Sequence, residues 1–209
     1  MASASDRMAA GAGLGALAKA DELKKRLLFT LGALIIYRLG TYVPLPGINP
    51  GALSDVFSQQ SSGILGMFDM FSGGALGRMT IFALNIMPYI TASIIMQLMT
   101  AVVPSLEALK KDGDAGRKQI NQYTRYLTVL LATVQGYGIA VGLEAASGVV
   151  GDPGMFFRVT TVVTLVGGTL FLMWLGEQIT SRGVGNGISL IIFSGIVAEL
   201  PTALAGTLE

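Results

Sequence analysis

Neither cysteine nor histidine occurs anywhere in the 209 residues. Their absence removes disulfides and thiolate nucleophiles, and every zinc site or catalytic triad that needs an imidazole. Charge is scarce as well. Asp, Glu, Lys and Arg together make up 13% of the chain, about half the usual share of a soluble domain. The formal net charge is +1, so the basic excess expected of a nucleic-acid binder is missing. With so few charged groups, water is a poor solvent for most of the surface. The apolar residues, 52% of the chain, point instead to lipid.

The few charges set the organisation. Residues 1–22 read as a mobile tail, rich in Ala, Gly and Ser over its first twenty positions. Lys24-Lys25-Arg26 then leads directly into an apolar run that stops at Pro44-Leu45-Pro46-Gly47. That order resembles the start of a signal peptide, but no small-residue cleavage site closes the run. It is therefore read as a retained first span, about 25–43, with Arg38 near its far end able to snorkel to the interface. Four further spans are expected at about 79–103, 123–143, 156–176 and 186–205. The first of these, 79–103, carries no charge at all, and the last is interrupted by Glu199 and Pro201.

Lys and Arg choose the orientation. They gather in the amino-terminal stretch (Arg7, Lys19, Lys24, Lys25, Arg26) and in the second loop (Lys110, Lys111, Arg117, Lys118). The loops 44–77 and 144–157 have none. The amino terminus and the second loop are thus expected in the cytoplasm, and the loop after the first span outside.

One stretch of that outer loop breaks the pattern. GILGMFDMFSGGALGR, 63–78, has a helical rhythm, with Ile64, Met67 or Phe68, and Phe71 on one face. Ile64 to Phe71 is only about two turns, roughly 12 Å against a hydrocarbon core of roughly 30 Å. It cannot cross. Composition alone fits an amphipathic segment resting on the membrane surface. Against that, it lacks the Lys/Arg face of interfacial helices, and glycines flank it as hinges would. Half-length backbone at membrane depth survives only when protein covers it or when it lines a wet cavity. Met67, Met70, Phe68 and Phe71 would offer soft contacts to a part that seats and leaves repeatedly. A re-entrant stopper is the sharper of the two readings.

Other features stay open on the residues alone. Pro88 lies in mid-span, where it removes a backbone hydrogen bond and can kink the helix. Asn85 and Gln97 should face protein or water, through ordinary interhelical hydrogen bonding or along a pathway. Ile86 and Ile90 are four apart, as are Ile188 and Ile192, so each pair shares a helical face; in lipid-exposed helices such pairs need no special role. GVGNG, 183–187, follows no strand and lacks the Lys-Ser/Thr of a P-loop, so it reads as a flexible lead into a helix. KKDGDAGRKQ, 110–119, reads as a solvated turn whose charge could also meet an acidic or RNA-rich partner.

Four strings taken in order look like one family: LPGI (45–48), MFSGGALGRMTIFALNIMPYITASIIMQL (70–98), GRKQINQYTRY (116–126) and FLMWLGEQITSRGVGNGISLIIFSGIVA (171–198). From about Leu23 to Glu209 the chain closely resembles the amino-terminal half of the bacterial SecY family, the channel subunits of the general protein translocase. The resemblance implies an all-α membrane protein: five transmembrane helices of ten plus a re-entrant half-helix plug, one half of an inverted-repeat channel. A carboxy-terminal half would supply the rest. The plug would be Ile64, Leu65, Gly66, Met67, Phe68, Asp69, Met70, Phe71, Ser72, Gly73 and Gly74. Ile86, Ile90, Ile188 and Ile192 would contribute to a narrow aliphatic pore ring that works by dewetting. Asn85, Thr91, Gln97 and Asn186 would be lateral-gate positions and polar neighbours of the pore.

Two departures from the family pattern stand out. Asn85 occupies a place where a small residue is expected. Asp69 puts a charge in the plug where a neutral amide is common; buried unpaired it would be costly, so it should face outer water or meet a partner. The resemblance also implies no cofactor, no enzymatic activity, and a multi-pass place in the bacterial plasma (inner) membrane. Implied partners are SecE and SecG, the SecA motor or a translating ribosome on the cytoplasmic side, signal peptides and nascent polypeptides as clients, and membrane lipid. The rival class is a secondary transporter, which also uses inverted repeats and broken helices. It would need an ion or substrate site, and Glu199 is the only carboxylate clearly inside a span.

Overall fold

The computed structural model describes residues 21–60, 64–146 and 148–208; the expected tail, up to residue 20, lies outside them. Among the described residues there are eight helices. In chain order they are α1 (Asp21–Gly40), α2 (Pro50–Gln60), α3 (Ile64–Phe71), α4 (Met87–Val102), α5 (Pro104–Lys111), α6 (Asp114–Ala145), α7 (Met155–Arg182) and α8 (Gly187–Leu208). Two isolated β-bridges, Pro44 to Thr80 and Ile48 to Val150, tie loops together.

The frame is the antiparallel pair α6 and α7, the two described helices whose length and composition suit a membrane crossing. In lipid there is no hydrophobic drive to bring helices together, so close approach must come from small residues and polar glue. α6 supplies both. Thr124, Thr128, Ala132, Gly136 and Ala140 recur every fourth position and are all buried. The hydroxyls of Thr124 and Thr128 donate to the carbonyls of Ile120 and Thr124, so neither is left unsatisfied. A β-carbon on Gly136 would lie 3.6 Å from the Val162 Cα, which shows how near the two backbones run. An ion pair closes each end. Arg125 grips Glu177 in a fork with contacts of 2.7 and 2.8 Å, and Arg158 meets Glu144 at 2.6 Å. Together they fix the register.

The other elements cross less plainly. α4 and α5 count as one span only if joined across a 99° bend at Val103. Val103 is extended (φ −98°, ψ 115°) because Pro104, at the start of α5, disfavours the helical region for the residue before it. α1 opens on Asp21, Glu22, Lys24, Lys25 and Arg26, and α8 contains Glu199 and Pro201. By length and composition two described helices, or three with the bent pair, suit a crossing where the sequence leads to five; α1 is charged at its start, and α8 reads as a shorter apolar helix, Gly187–Pro201.

The largest difference from expectation lies before α4. The uncharged run from Met79 does not enter a helix until Met87, and Ser72 to Ile86 is built as successive turns. This irregular segment is nonetheless largely buried, with Ala75, Phe82, Ala83, Leu84 and Ile86 in the core. Met79 (φ 45°) and Asn85 (φ 50°) take left-handed backbone, incompatible with helix continuation. Part of the missing hydrogen bonding comes from the chain after α1: Leu45 N–H donates to the Met79 carbonyl and Ile81 N–H to the Val43 carbonyl, both at 3.0 Å. Pro88 accordingly falls in the first turn of α4, where its lost N–H is not needed, rather than at a mid-helix kink.

Phe82 is the wedge of this segment. Its ring stacks between Tyr37 of α1 and Phe171 of α7, with centroid separations of 6.1 and 5.9 Å. Gly40 and Gly168 make the room, since a β-carbon on the first would overlap the Phe82 ring and on the second the Ile81 carbonyl. Replacing Gly168 by Val should push the turn off α7. Overpacking of this kind costs about 1–3 kcal/mol, so the melting temperature of the purified protein should fall. Gly167→Ala, where a β-carbon meets nothing within 4 Å, should not lower it; equal melting of both variants would contradict the close contact.

Candidate functional site

α3 is short, apolar and seated on α8. Met67 and Met70 are 63% and 45% exposed, so part of its surface is uncovered in this chain. Gly66 lies inside the helix. Ile64, Leu65, Phe68 and Phe71 are placed there by their backbone, and their side chains lie outside the described residues. The segment turns back sharply after Phe71, and Asp69 organises that turn. Its carboxylate Oδ1 accepts from Gly77 N–H at 2.6 Å, while its carbonyl accepts from Gly74 N–H at 2.9 Å and from the Ser72 hydroxyl at 2.9 Å. The partner expected for this charge is therefore the protein's own backbone. Ser72, itself buried, accepts from Leu76 N–H at 3.1 Å through its hydroxyl and from the Tyr37 hydroxyl at 3.4 Å through its carbonyl. Gly73 (φ 65°) and Gly74 (φ 76°) complete the reversal in left-handed backbone.

The isoleucines converge incompletely. Ile86 is 1% exposed and immediately precedes α4; Ile90, one turn on, donates its N–H to the Ile86 carbonyl at 3.0 Å. Ile86, Ile90 and Ile188 share one apolar cluster with Phe82, Leu175, Ile179 and Ile191. Ile192 is half-buried and outside that cluster. Its neighbour Ile191, fully buried in it, is the residue that spacing by four passed over; spacing by three from Ile188 would have found it.

The polar positions separate into distinct settings. Asn85 is 3% exposed and left-handed, which accounts for the departure from a small residue: among side chains other than glycine, Asn tolerates that backbone best. Asn85 and Thr91 line an apolar cleft of about 520 Å³ between the 72–87 turn, α4 and α6, together with Ser72, Leu84 and Gln135. The Thr91 hydroxyl donates to the Met87 carbonyl at 3.0 Å. Gln97 lies farther along α4, beside Thr100, Lys110 and Arg117 in a smaller pocket of about 190 Å³. Asn186 caps α8, its Oδ1 accepting from Ile188 and Ser189 N–H at 3.1 and 3.4 Å. Among the described residues no cluster of three or more acidic, His or Cys side chains could hold a metal. The arrangement is suited to contact and exclusion.

The SecY family model matches residues 80–209. The protein translocase subunit SecY of Escherichia coli strain K12 is 56% identical over 207 residues, which are 98% of this chain and 45% of that protein. Its counterpart in Buchnera aphidicola subsp. Acyrthosiphon kondoi is 57% identical over 207 residues, 98% of this chain and 56% of that protein. The chain thus spans about half the length of the curated relatives it matches. A solved channel structure, that of a SecY protein whose plug domain is described as stabilising the closed state, superposes with a TM-score of 0.60. It covers 85% of this chain and 36% of that one at 19% identity, a likeness of fold.

The turn at Asp69 can be tested directly. Asp69→Ala removes a charge-assisted hydrogen bond, which is worth about 1.5–3 kcal/mol. Amide exchange at Gly77 in the complete protein should therefore quicken by about tenfold or more. Asp69→Asn keeps an acceptor and should retain most of the protection. Equal exchange in the Ala variant and the parent would mean that another contact holds the turn.

Proposed function

The chain belongs to the SecY family, and on that premise we propose that it builds the amino-terminal half of a protein-conducting channel. Its spans are about 25–43, 79–103, 123–143, 156–176 and 186–205, followed in the complete protein by a carboxy-terminal half. The channel lies in the bacterial plasma membrane with its amino terminus in the cytoplasm. The observation that carries the proposal is the convergence of Ile86, Ile90 and Ile188 on one aliphatic cluster, with α3 seated on the same helix, α8, that carries Ile188.

The mechanism follows from what such groups do to water. A constriction of branched aliphatic side chains offers ions no compensation for lost hydration, so it empties and seals, yet it yields to a polypeptide threaded through it. Residues 64–74 act as the plug over it, and Ile192 completes the ring when the second half is present. Thr91 and Gln97 lie along one side of a lateral gate. There, clients sort by chemistry: a central Leu or Ile gains about half a kcal/mol in lipid, whereas Lys or Asp costs about 3. Over a segment of ~20 residues those terms decide between release outward and release into the bilayer. The pore is passive. Its drive comes from the SecA motor or a translating ribosome, with SecE and SecG as membrane partners and signal peptides and nascent chains as clients.

Crosslinking of an arrested nascent chain in the complete translocase tests this most broadly: adducts should form from α3 and from α4 near Thr91, and their absence from both would overturn the reading. Glycine at Ile86, Ile90, Ile188 and Ile192 together should raise resting ion conductance in a planar bilayer, and unchanged conductance would remove the ring. Deleting Ile64–Gly74 should produce transient openings; a channel as silent as the parent would place the stopper elsewhere.

A further inference from the structure

This inference rests on the reading of α3 as a stopper and concerns where it is attached. The carbonyl of Gly73 accepts two guanidinium donors at once, Arg38 Nη1 from α1 and Arg78 Nη2 from the following turn, each at 2.9 Å. Both cations also lie over the ring of Tyr42, with Cζ atoms 5.3 and 4.5 Å from its centroid. Arg38 Nη2 donates to the Tyr42 hydroxyl as well, at 3.4 Å. From the opposite side α8 closes in. A β-carbon on Gly73 would sit 3.1 Å from Gly195 Cα, and one on Gly74 would sit 2.7 Å from Glu199 Oε1 and 2.8 Å from Arg78 Nη2. The Glu199 carboxylate and the Arg78 guanidinium thus both crowd the α-carbon of Gly74.

Two charge-assisted hydrogen bonds on one neutral backbone oxygen are a heavy investment at a single peptide. They are made at the foot of α3 and from elements that are themselves held fast. α1 is pinned to the loop after α7 by Val184 N–H donating to the Thr30 hydroxyl at 3.1 Å. The turn bearing Arg78 is wedged by Phe82 between α1 and α7. The body of α3 is different in character, presenting Met67 and Met70 outward.

We propose that the Gly73 carbonyl, gripped by Arg38 and Arg78, is the fixed pivot about which α3 leaves its seat and returns. The helix swings while its foot stays. Eight residues of helix are about 12 Å long, so a pinned foot confines the far end to a short arc. Reseating is then an intramolecular event at high effective concentration. Arg38 and Arg78 are positioning residues: they set how fast the passage closes, and the seat and the constriction are made by others.

The test uses the complete protein with its membrane partners in planar bilayers, with openings triggered by an added signal peptide. Arg38→Gln with Arg78→Gln should lengthen the mean open time at least tenfold, each single variant less, with the current amplitude of an open event unchanged. In a channel already lacking Ile64–Gly74 the same substitutions should change nothing. Parental open times in the double variant would overturn the pivot, and so would equal lengthening in the deleted channel. A deletion that is itself silent would instead overturn the stopper reading, so the two failures are distinguishable. If the glutamine pair does not assemble, Arg38→Lys with Arg78→Lys carries the test. Lysine keeps charge and a donor but loses the planar guanidinium over Tyr42, so an intermediate lengthening is expected and parental open times would overturn the pivot.

Discussion

A backbone taken out of water must find partners for its N–H and C=O groups, and this chain meets that demand in an unusual way between Ser72 and Ile86. A helix would satisfy every group internally. The chain instead folds through turns, including two non-glycine residues in left-handed backbone, inside a protein of crossing helices. It survives because the strand-like stretch after α1 pairs with it, Phe82 anchors it between two helices, and Gly40 and Gly168 stand aside to admit it. α3, the turn at Gly73 that follows it and Ile86 all depend on that covered irregular segment.

The surrounding helices are built to tolerate such an insertion. α6 and α7 are locked to one another by a stripe of small residues and an ion pair at either end, which leaves them rigid without help from the turns between α3 and α4. α8 meets α7 with equal closeness, since a β-carbon on Gly187 would overlap the Gly176 carbonyl. A closely paired scaffold carrying one short apolar helix suits the gated passage proposed for this chain.

Much of this was legible in the residues, and the exceptions have physical causes. The charge-poor composition and the lysines and arginines of alternate loops led to a membrane protein with several spans, and the half-length helix was marked by its own brevity between glycines. The turn segment 79–86 is not legible in the sequence because an uncharged apolar run looks the same whether it is helical or irregular; the relevant signals, Phe82 as a wedge and glycines on other helices, are contacts distant in sequence. In the sequence Asp69 is a charge that needs water or a partner, since nothing in the string MFDMF reveals a backbone amide eight residues on. Spacing alone pairs Ile86 with Ile90 and Ile188 with Ile192 on shared faces and gives them no role; the ring comes from the resemblance, and the burial of Ile191 depends on how α8 rolls against α7. Asn186, which the resemblance puts beside the pore, also caps α8 through its amide oxygen, a role its place before Gly187 leaves open in the sequence.

The central claim is that the isoleucine constriction is dry at rest and opens only to a client. Because this chain contains no cysteine, a single thiol at position 90 reports on it cleanly. In the complete, otherwise cysteine-free protein, Ile90→Cys should resist a membrane-impermeant thiol reagent from both sides of the membrane and become reactive once a translocating chain is arrested inside. Rapid labelling of the resting channel, at the rate of an exposed thiol, would contradict it.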